Sequence, residues 1–337
     1  MAARRIIIDT DPGQDDALAI LLALASPELE VVGITAVAGN VPLALTALNA
    51  RKLVALAQRT DVPVRAGADA PLARPLVTAE HVHGRTGLDG IELPEPSVPL
   101  AEGFAPDWIA DTVLAEPENT ITLVCLGPLT NAAIALRRPG VAERLHSIVL
   151  MGGGYFEGGN ITPMAEFNVY VDPDAADEVL RCGAPITMAP LDVTHKALMP
   201  RSFARRLAAL GTRTGEACAA WALFQERFDV EKYGSDGGPL HDPCTIAWLL
   251  DPSIFGGRDC FVAVETRSEL CLGATVIDWW GGLARARAER ARAGRGGCGP
   301  LLRLPGRPPR PPALSEPASE SLSEPVGGAD EAFAIGR

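Results

Sequence analysis

The stretch RIIIDTDPGQDDALAILLALA, residues 5–25, decides the fold of this chain. Its apolar run predicts a strand at Arg5–Asp9, and its Ala/Leu-rich end predicts a helix at Asp16–Ala25. The same alternation of short apolar runs with longer Ala/Leu-rich segments continues over the first two thirds of the sequence. It predicts an α/β fold with an open, mostly parallel, Rossmann-like sheet that is flanked by helices.

Similar patterns predict the other elements of this sheet. Strands are expected at Val31–Ala36, Pro63–Ala66, Thr120–Leu126, Ser147–Met151 and Pro185–Ala189. Helices are expected at Pro42–Arg59, Ala105–Leu114, Leu129–Leu136 and Pro173–Cys182. Residues Cys260–Thr266 and Ala274–Trp279 predict a small antiparallel hairpin near the C-terminus. Ligands bind outside the carboxyl ends of parallel strands, so the residues that follow each strand are the candidates for a site.

A change of composition predicts the domain boundary. We expect one catalytic domain over residues 1–280 and an atypical tail over residues 281–337. The tail holds ten glycines, nine arginines and eight prolines. With few large apolar side chains it cannot bury enough surface to fold, so it is predicted to be mostly disordered. Its part Leu283–Arg295 is either a basic helix or a solvated arm.

Composition limits the class of partner. The formal net charge of -12 argues against nucleic acid, which selects for basic patches. The first residues lack the apolar run of a signal peptide or membrane anchor, so we expect a cytoplasmic protein without a membrane partner. The seven cysteines are scattered and form no CxxC pair, so they predict core or surface thiols and not a disulfide framework or a zinc site.

The acidic loop after the first strand predicts a metal site. Asp9, Asp11, Asp15 and Asp16 would repel one another unless a cation lies among them. Capping of the following helix could explain Asp15 and Asp16, but it leaves the other two crowded. Carboxylate oxygens without Cys or His favour calcium or magnesium. Such a metal can activate a water molecule, and one carboxylate beside it can accept the proton.

Polar residues after other strands are further candidates. Asn40 is either a helix cap or a ligand. Asn160, Glu166 and Asn168 are suited to bind the vicinal hydroxyls of a sugar, although asparagines also form turns in surface loops.

Two histidines add titratable candidates. His241 precedes Asp242 at the start of an apolar helix, and this pair is either an N-cap with its neighbour or a titratable group beside an oxygen ligand. His83 lies in a turn-rich loop, where exposure is the default.

Together these segments closely resemble the inosine–uridine nucleoside hydrolase family. Its hallmark DxDPGxDDxxA loop is found here at Asp9–Ala19. The resemblance extends over about residues 4 to 280, through motifs that occur in the expected order. These motifs are VHG at His83, LGPLTN at Leu126–Asn131, MGG at Met151, NxTPxAEFN at Asn160–Asn168, LDVT at Leu191 and HDPC at His241.

The resemblance implies hydrolysis of the N-glycosidic bond of ribonucleosides by a calcium-activated water. It implies calcium ligands at Asp11, Asp15, Asp16, Asp242 and the backbone carbonyl of Leu126. Asp15 would also be the general base, and His241 would protonate the departing base. The nucleoside would be bound by Asn40, His83, Asn160, Glu166 and Asn168. A homodimer or homotetramer is expected from the same resemblance.

The resemblance leaves the preferred base open. In this family the preference is set by the helix before HDPC, here Trp221 to Tyr233. Phe224, Gln225, Phe228 and Asp229 are the candidates to face the base, and the phenylalanines could equally be core residues.

Three further hypotheses concern the tail and the activity. Relatives continue with an ordered segment where this chain becomes Gly/Arg/Pro-rich, and a shifted reading frame would produce such a change. A calcium-dependent nucleoside or sugar binding protein without turnover is the alternative function. A magnesium phosphohydrolase is disfavoured because no phosphate-binding glycine loop or basic cluster accompanies the acids.

Overall fold

The computed structural model describes residues 3–233, 237–282 and 301–305, without the side chains of 228–233 and 301–305. All of them belong to one compact unit, Met1–Gly306. A second unit, Arg307–Arg337, lies outside the described residues. No helix in the described part of the chain is long and apolar enough to cross a bilayer.

Among the described residues, nine strands form one sheet in the order β10-β9-β11-β6-β5-β4-β1-β2-β3. The bounds are β1 Arg4–Thr10, β2 Leu29–Ala36, β3 Val64–Ala66, β4 Ile121–Cys125, β5 Ser147–Met151, β6 Ile186–Ala189, β9 Gly257–Val264, β10 Thr275–Asp278 and β11 Leu301–Pro305. All neighbours from β11 to β3 pair in parallel, whereas β9 pairs antiparallel with both β11 and β10. The predicted fold class and the C-terminal hairpin are therefore confirmed. Two short strands, β7 Leu198–Met199 and β8 Gly238–Pro239, pair separately.

The helices follow the predicted pattern and surround this sheet. Their bounds are α1 Gln14–Ala25, α2 Leu43–Leu56, α3 Glu80–His83, α4 Ala105–Ala115, α5 Thr130–Leu136, α6 Val141–Arg144, α7 Phe167–Val171, α8 Pro173–Leu180, α9 Leu191–Thr194, α10 Arg201–Ala208, α11 Arg213–Tyr233 and α12 Pro243–Leu250. A 3₁₀ turn occupies Pro252–Ile254.

Strand β1 lies in the centre of the sheet and is apolar on both faces. Ile6 and Ile8 pack into one core together with Trp221 of α11. Ile7 packs into the opposite core together with Ile109 of α4. Both faces of the strand are therefore covered by helices, and this explains why its apolar run does not alternate with polar residues.

The predicted tail falls mostly on residues that the structure does not describe. Within it, Leu301–Pro305 form β11, which lies between β9 and β6. The segment Leu283–Arg295 lies outside the described residues. The boundary at residue 280 and the disorder of the remaining tail stay predictions.

Candidate functional site

The acidic loop joins the carboxyl end of β1 to the first turn of α1. Asp11 lies between the two elements, and Asp15 and Asp16 lie in the first helical turn. Asp242 is the N-cap residue of α12 and packs against the same loop. Carboxylate oxygens of Asp15, Asp16 and Asp242 all lie within 4.8 Å of one another. The fold thus brings a distant acid to the cluster that the sequence predicted.

Hydrogen bonds fix two of these carboxylates. Asp16 accepts from the Thr10 hydroxyl (2.5 Å) and from the backbone N–H of Gly13 (3.0 Å). Asp11 accepts from the backbone N–H of Asn40 at 2.7 Å, and the Asn40 amide donates to the Asp11 carbonyl at 3.1 Å. The N-cap of α2 is Pro42, so Asn40 is not a helix cap and instead joins the loops that follow β1 and β2.

Two glycines make room for Asp11. A Cβ atom on Gly39 would lie 2.1 Å from Asp11 Oδ2, and one on Gly127 would lie 2.2 Å from Asp11 Oδ1. Real Cβ atoms do not approach so closely, so any side chain at either position would displace the carboxylate. The LGPLTN and AGN segments contribute these glycines, and this role is not visible in the sequence because it depends on a contact between distant loops.

The cluster carries a large electrostatic cost. Burial raises the pKa of Asp11 well above its usual value, and the nearby Asp16 raises it further. Burial also raises the pKa of Asp242 well above its usual value, with Asp16 and Asp15 adding to the effect. Among the described residues, Asp11 Oδ1 is buried without a hydrogen-bond partner. No lysine or arginine is found among the described residues that line the pocket around this acidic cluster. Oxygen donors of this kind suit a hard divalent cation.

A second group of polar residues lies after β5. Glu166 is the N-cap of α7, and its carboxylate accepts from the backbone N–H groups of Asn168 (2.8 Å) and Gly153 (2.9 Å). Burial raises the pKa of Glu166 to about 7. The Asn168 amide donates to the Leu126 carbonyl at 2.7 Å. Asn160 accepts from the Phe167 backbone N–H at 2.8 Å. These residues form an ordered wall and not a loose surface loop.

Two predicted histidines line the same pocket as these polar residues. His241 Nδ1 lies 2.8 Å from the Thr194 hydroxyl, and its ring packs against His195 with 5.7 Å between centroids. Burial, together with the His195 and His83 charges, lowers the pKa of His241 to about 3. Burial lowers the pKa of His83 to about 4, and this histidine is buried and not exposed as its turn-rich loop suggested.

One pocket gathers most of the predicted residues. It encloses about 720 Å³ of empty space, including its opening to solvent. The predicted residues in its lining are Asp15, Asp16, Asn40, His83, Leu126, Asn160, Glu166, Asn168, Gln225, His241 and Asp242. Asp11 lies behind them.

Among the described side chains predicted to face the base, that of Phe224 does not line this pocket. Phe224 lines a neighbouring cleft with Lys52 and Arg85, because its side chain packs against the loop at Gly90. Phe228 and Asp229 belong to α11, but their side chains lie outside the described residues.

Several lining residues were not predicted from the sequence. They are Ala79, His81, Val82, Met151, Ile161, Phe167 and His195. His195 directly follows the LDVT segment, and Phe167 lies inside the AEFN segment, so proximity to the motifs was the available signal. Four of the five histidines in the chain line this one pocket.

The sequence model of the inosine-uridine preferring nucleoside hydrolase family matches residues 6–296. The chain belongs to this family. An uncharacterized protein of Schizosaccharomyces pombe is 52% identical over 277 residues, which cover 82% of this chain and 89% of that protein. The pyrimidine-specific ribonucleoside hydrolase RihA of Salmonella typhimurium is 47% identical over 277 residues, covering 82% of this chain and 88% of RihA.

Solved structures agree with this assignment. A plant nucleoside hydrolase superposes with a TM-score of 0.79 at 33% identity, covering 90% of this chain and 94% of the plant protein. The purine-preferring ribonucleoside hydrolase from Gardnerella vaginalis superposes with a TM-score of 0.80 at 30% identity, covering 90% and 93%. This nucleoside hydrolase is therefore an enzyme that cleaves N-glycosyl bonds, and its buried acidic cluster is the candidate metal site.

The electrostatic cost of the cluster is testable without substrate. We expect Asp242→Asn to raise the free energy of unfolding by about 1–2 kcal/mol in the presence of a chelator, because it removes one charge from a buried group of acids. Denaturant unfolding measures the change.

Asp172 offers a matched control. It is equally buried, but its carboxylate accepts from the Thr130 hydroxyl and from the backbone N–H groups of Ala175 and Leu72. Asp172→Asn should therefore destabilise the protein by about 1–3 kcal/mol. Equal destabilisation by both substitutions would contradict the view that the cluster is under repulsion.

Proposed function

We propose that this enzyme hydrolyses ribonucleosides to ribose and free nucleobase, with calcium as the ion that activates the attacking water. The observation that supports calcium is the set of three buried carboxylates, Asp15, Asp16 and Asp242, which meet within 4.8 Å in the same pocket as the polar wall at Glu166 and Asn168. The three acids offer only oxygen ligands, which favours calcium or magnesium over zinc.

The residues of the site fit a cation of this kind. The side chains of Asp11, Asp15, Asp16 and Asp242 would hold it, together with the carbonyl oxygen of Leu126. Asp11 Oδ1 has no hydrogen-bond partner in the described part of the chain, so it can offer a lone pair to the cation. A carbonyl oxygen accepts twice, so the bond from Asn168 does not prevent Leu126 from acting as a ligand. When bound, calcium would lower the pKa of a water molecule in the pocket.

The protein side chains would carry the remaining steps. Asp15 accepts the proton of the attacking water as general base. Asn40, Asn160, Glu166 and Asn168 bind the ribose hydroxyls and hold the sugar beside that water. As the C1′–N bond lengthens, positive charge develops on the ribose, and the surrounding carboxylates stabilise it.

The base would lie toward the histidines. His241 is the group proposed to protonate the base as it leaves. Burial lowers the pKa of His241 to about 3, so its ring is neutral near pH 7 and takes up the proton that it delivers during the reaction. His83 lines the same pocket. Strong binding of the ribose is the other source of activation, because binding energy at the sugar can be used to reach the transition state. The cytoplasmic location and the homodimer or homotetramer stay predictions.

Removal of divalent ions should abolish turnover. We expect free ribose and uracil to form from uridine with calcium, and at least about a hundredfold less after treatment with a chelator. Restoration by calcium, but not by magnesium at equal concentration, is the expected control. Hydrolysis at an unchanged rate after treatment with the chelator would contradict activation of the water by a metal ion. Calcium-dependent nucleoside binding without product would instead favour the binding protein without turnover.

The general base can be tested separately from sugar binding. Asp15→Asn keeps the size of the side chain but cannot accept the proton at neutral pH. We expect kcat to fall by about 10²–10⁴ while thermal stabilisation by ribose remains detectable. A kcat within about threefold of the wild type would remove Asp15 from this role. Asp172→Asn, which lies outside the pocket, controls for the loss of a buried carboxylate.

We further propose that pyrimidine ribonucleosides are preferred. The RihA relatives of Salmonella typhimurium and Photobacterium profundum, which are 47% and 46% identical, are named pyrimidine-specific. Gln225 supports the same preference, because its buried amide lines the pocket. Its Nε2 lies 3.5 Å from the Pro239 carbonyl, and an amide held in this way can read the hydrogen-bonding edge of a base.

Base preference is measured by comparing kcat/KM for uridine, cytidine and inosine. We expect both pyrimidines to exceed inosine by about tenfold or more. Gln225→Leu should lower kcat/KM for the pyrimidines by about tenfold and for inosine less, because only an edge contact is lost. A preference for inosine in the wild type would contradict the proposal without affecting the assignment to the family.

A further inference from the structure

Gln14 occupies the variable position of the DPGxDD loop and is completely buried. Its Nε2 donates to the carbonyl oxygens of His83 (2.9 Å) and Asp89 (3.1 Å). Its Oε1 lies 2.6 Å from Nδ1 of the His83 ring. The side chain therefore connects the acidic loop to the loop that carries a pocket histidine.

The hydrogen bonds of the Gln14 amide distinguish its oxygen Oε1 from its nitrogen Nε2. Both hydrogens of Nε2 are directed to carbonyl oxygens, which can only accept. The opposite orientation would place Oε1 against those same two acceptors and is excluded. The atom that faces the His83 ring is thus an acceptor, and Nδ1 must carry the proton that it accepts.

We propose that Gln14 is a positioning residue that holds His83 in the tautomer with its proton on Nδ1, so that Nε2 presents an acceptor to a hydrogen-bond donor of the nucleoside. The contact between His83 and the nucleoside rests on the proposed function. The tautomer of His83 does not, because it follows from contacts within the protein.

The surroundings of the ring support this assignment. His83 is 8% exposed and lines the pocket. A Cβ atom on Gly13 would lie 2.5 Å from Nδ1, so the backbone of the acidic loop is packed against this edge of the ring. Nε2 is then the ring nitrogen that His83 can offer to a ligand. Burial lowers the pKa of His83 to about 4, so the ring is neutral near pH 7 and its tautomer decides what it can bind.

Asn49 provides a matched control. Its Nδ2 donates to the carbonyl oxygens of Pro12 (3.1 Å) and Thr86 (2.7 Å). It is a buried amide that connects the same two loops, but neither of these two hydrogen bonds involves the His83 ring. Replacement of Asn49 therefore tests loop anchoring alone.

The tautomer can be read from ¹⁵N chemical shifts of histidine side chains in the full-length protein near pH 7, with and without calcium. The signal lost in His83→Gln identifies this residue. We expect protonated Nδ1 and unprotonated Nε2 in the wild type. Gln14→Met should lose this preference, whereas Asn49→Ala should keep it. A wild-type ring protonated on Nε2, or an unchanged tautomer in Gln14→Met, would overturn the proposal.

Kinetics provide the second readout. A lost binding contact that is equal in ground and transition states raises KM and leaves kcat unchanged. We expect Gln14→Met to raise KM for uridine by about tenfold with little change in kcat. An equal fall of kcat and kcat/KM would contradict the proposed contact between His83 and the bound nucleoside. If no variant or wild type hydrolyses nucleosides, the proposed function fails, while the ¹⁵N measurement still decides the tautomer.

Discussion

Mutual repulsion among buried acids is the constraint on which this site depends. Asp11, Asp16 and Asp242 have raised pKa values because burial removes their solvation, and their charges add to the cost. A stable arrangement needs donors that hold individual oxygens and a cation that shares the charge. The parallel sheet provides the place, since the loops that follow β1, β2, β4 and β5 meet at its carboxyl edge. The remaining features of the pocket serve to keep this charge in one geometry.

Side-chain amides hold the loops in that geometry. Asn40 joins the loops after β1 and β2, and Asn49 and Gln14 join the acidic loop to residues 83–89. Asn131 donates to the Asp9 carboxylate and the Ala36 carbonyl and accepts from the backbone N–H of Ala68. An amide both donates and accepts, so it can connect two strands or loops without adding charge. This property suits a site that already contains an excess of negative charge.

Much of this arrangement was predictable from the sequence. The contacts that were not predictable have a physical reason in common. Periodicity placed β1 and α1 to within a few residues, because both depend on local patterns of burial. The acidic loop was predictable because its density of negative charge is unusually high. By contrast, the space that Gly39 leaves for Asp11, the burial of His83 and the contact of His195 with His241 arise from loops distant in sequence. Phe224 lines a neighbouring cleft, and helical spacing alone does not tell which of two clefts a side chain enters.

The bond from the Asn168 amide to the Leu126 carbonyl links the two halves of the pocket. Asn168 belongs to the proposed ribose wall and Leu126 to the proposed cation shell, so a single hydrogen bond is common to both. Binding of ribose at Asn168 would then alter the polarity of the Leu126 carbonyl that faces the cation. By thermodynamic linkage, binding of the cation would affect binding of ribose to the same extent. Sugar and ion would act as cooperative ligands, each retaining the other, and the empty enzyme would release its ion more readily than the working one.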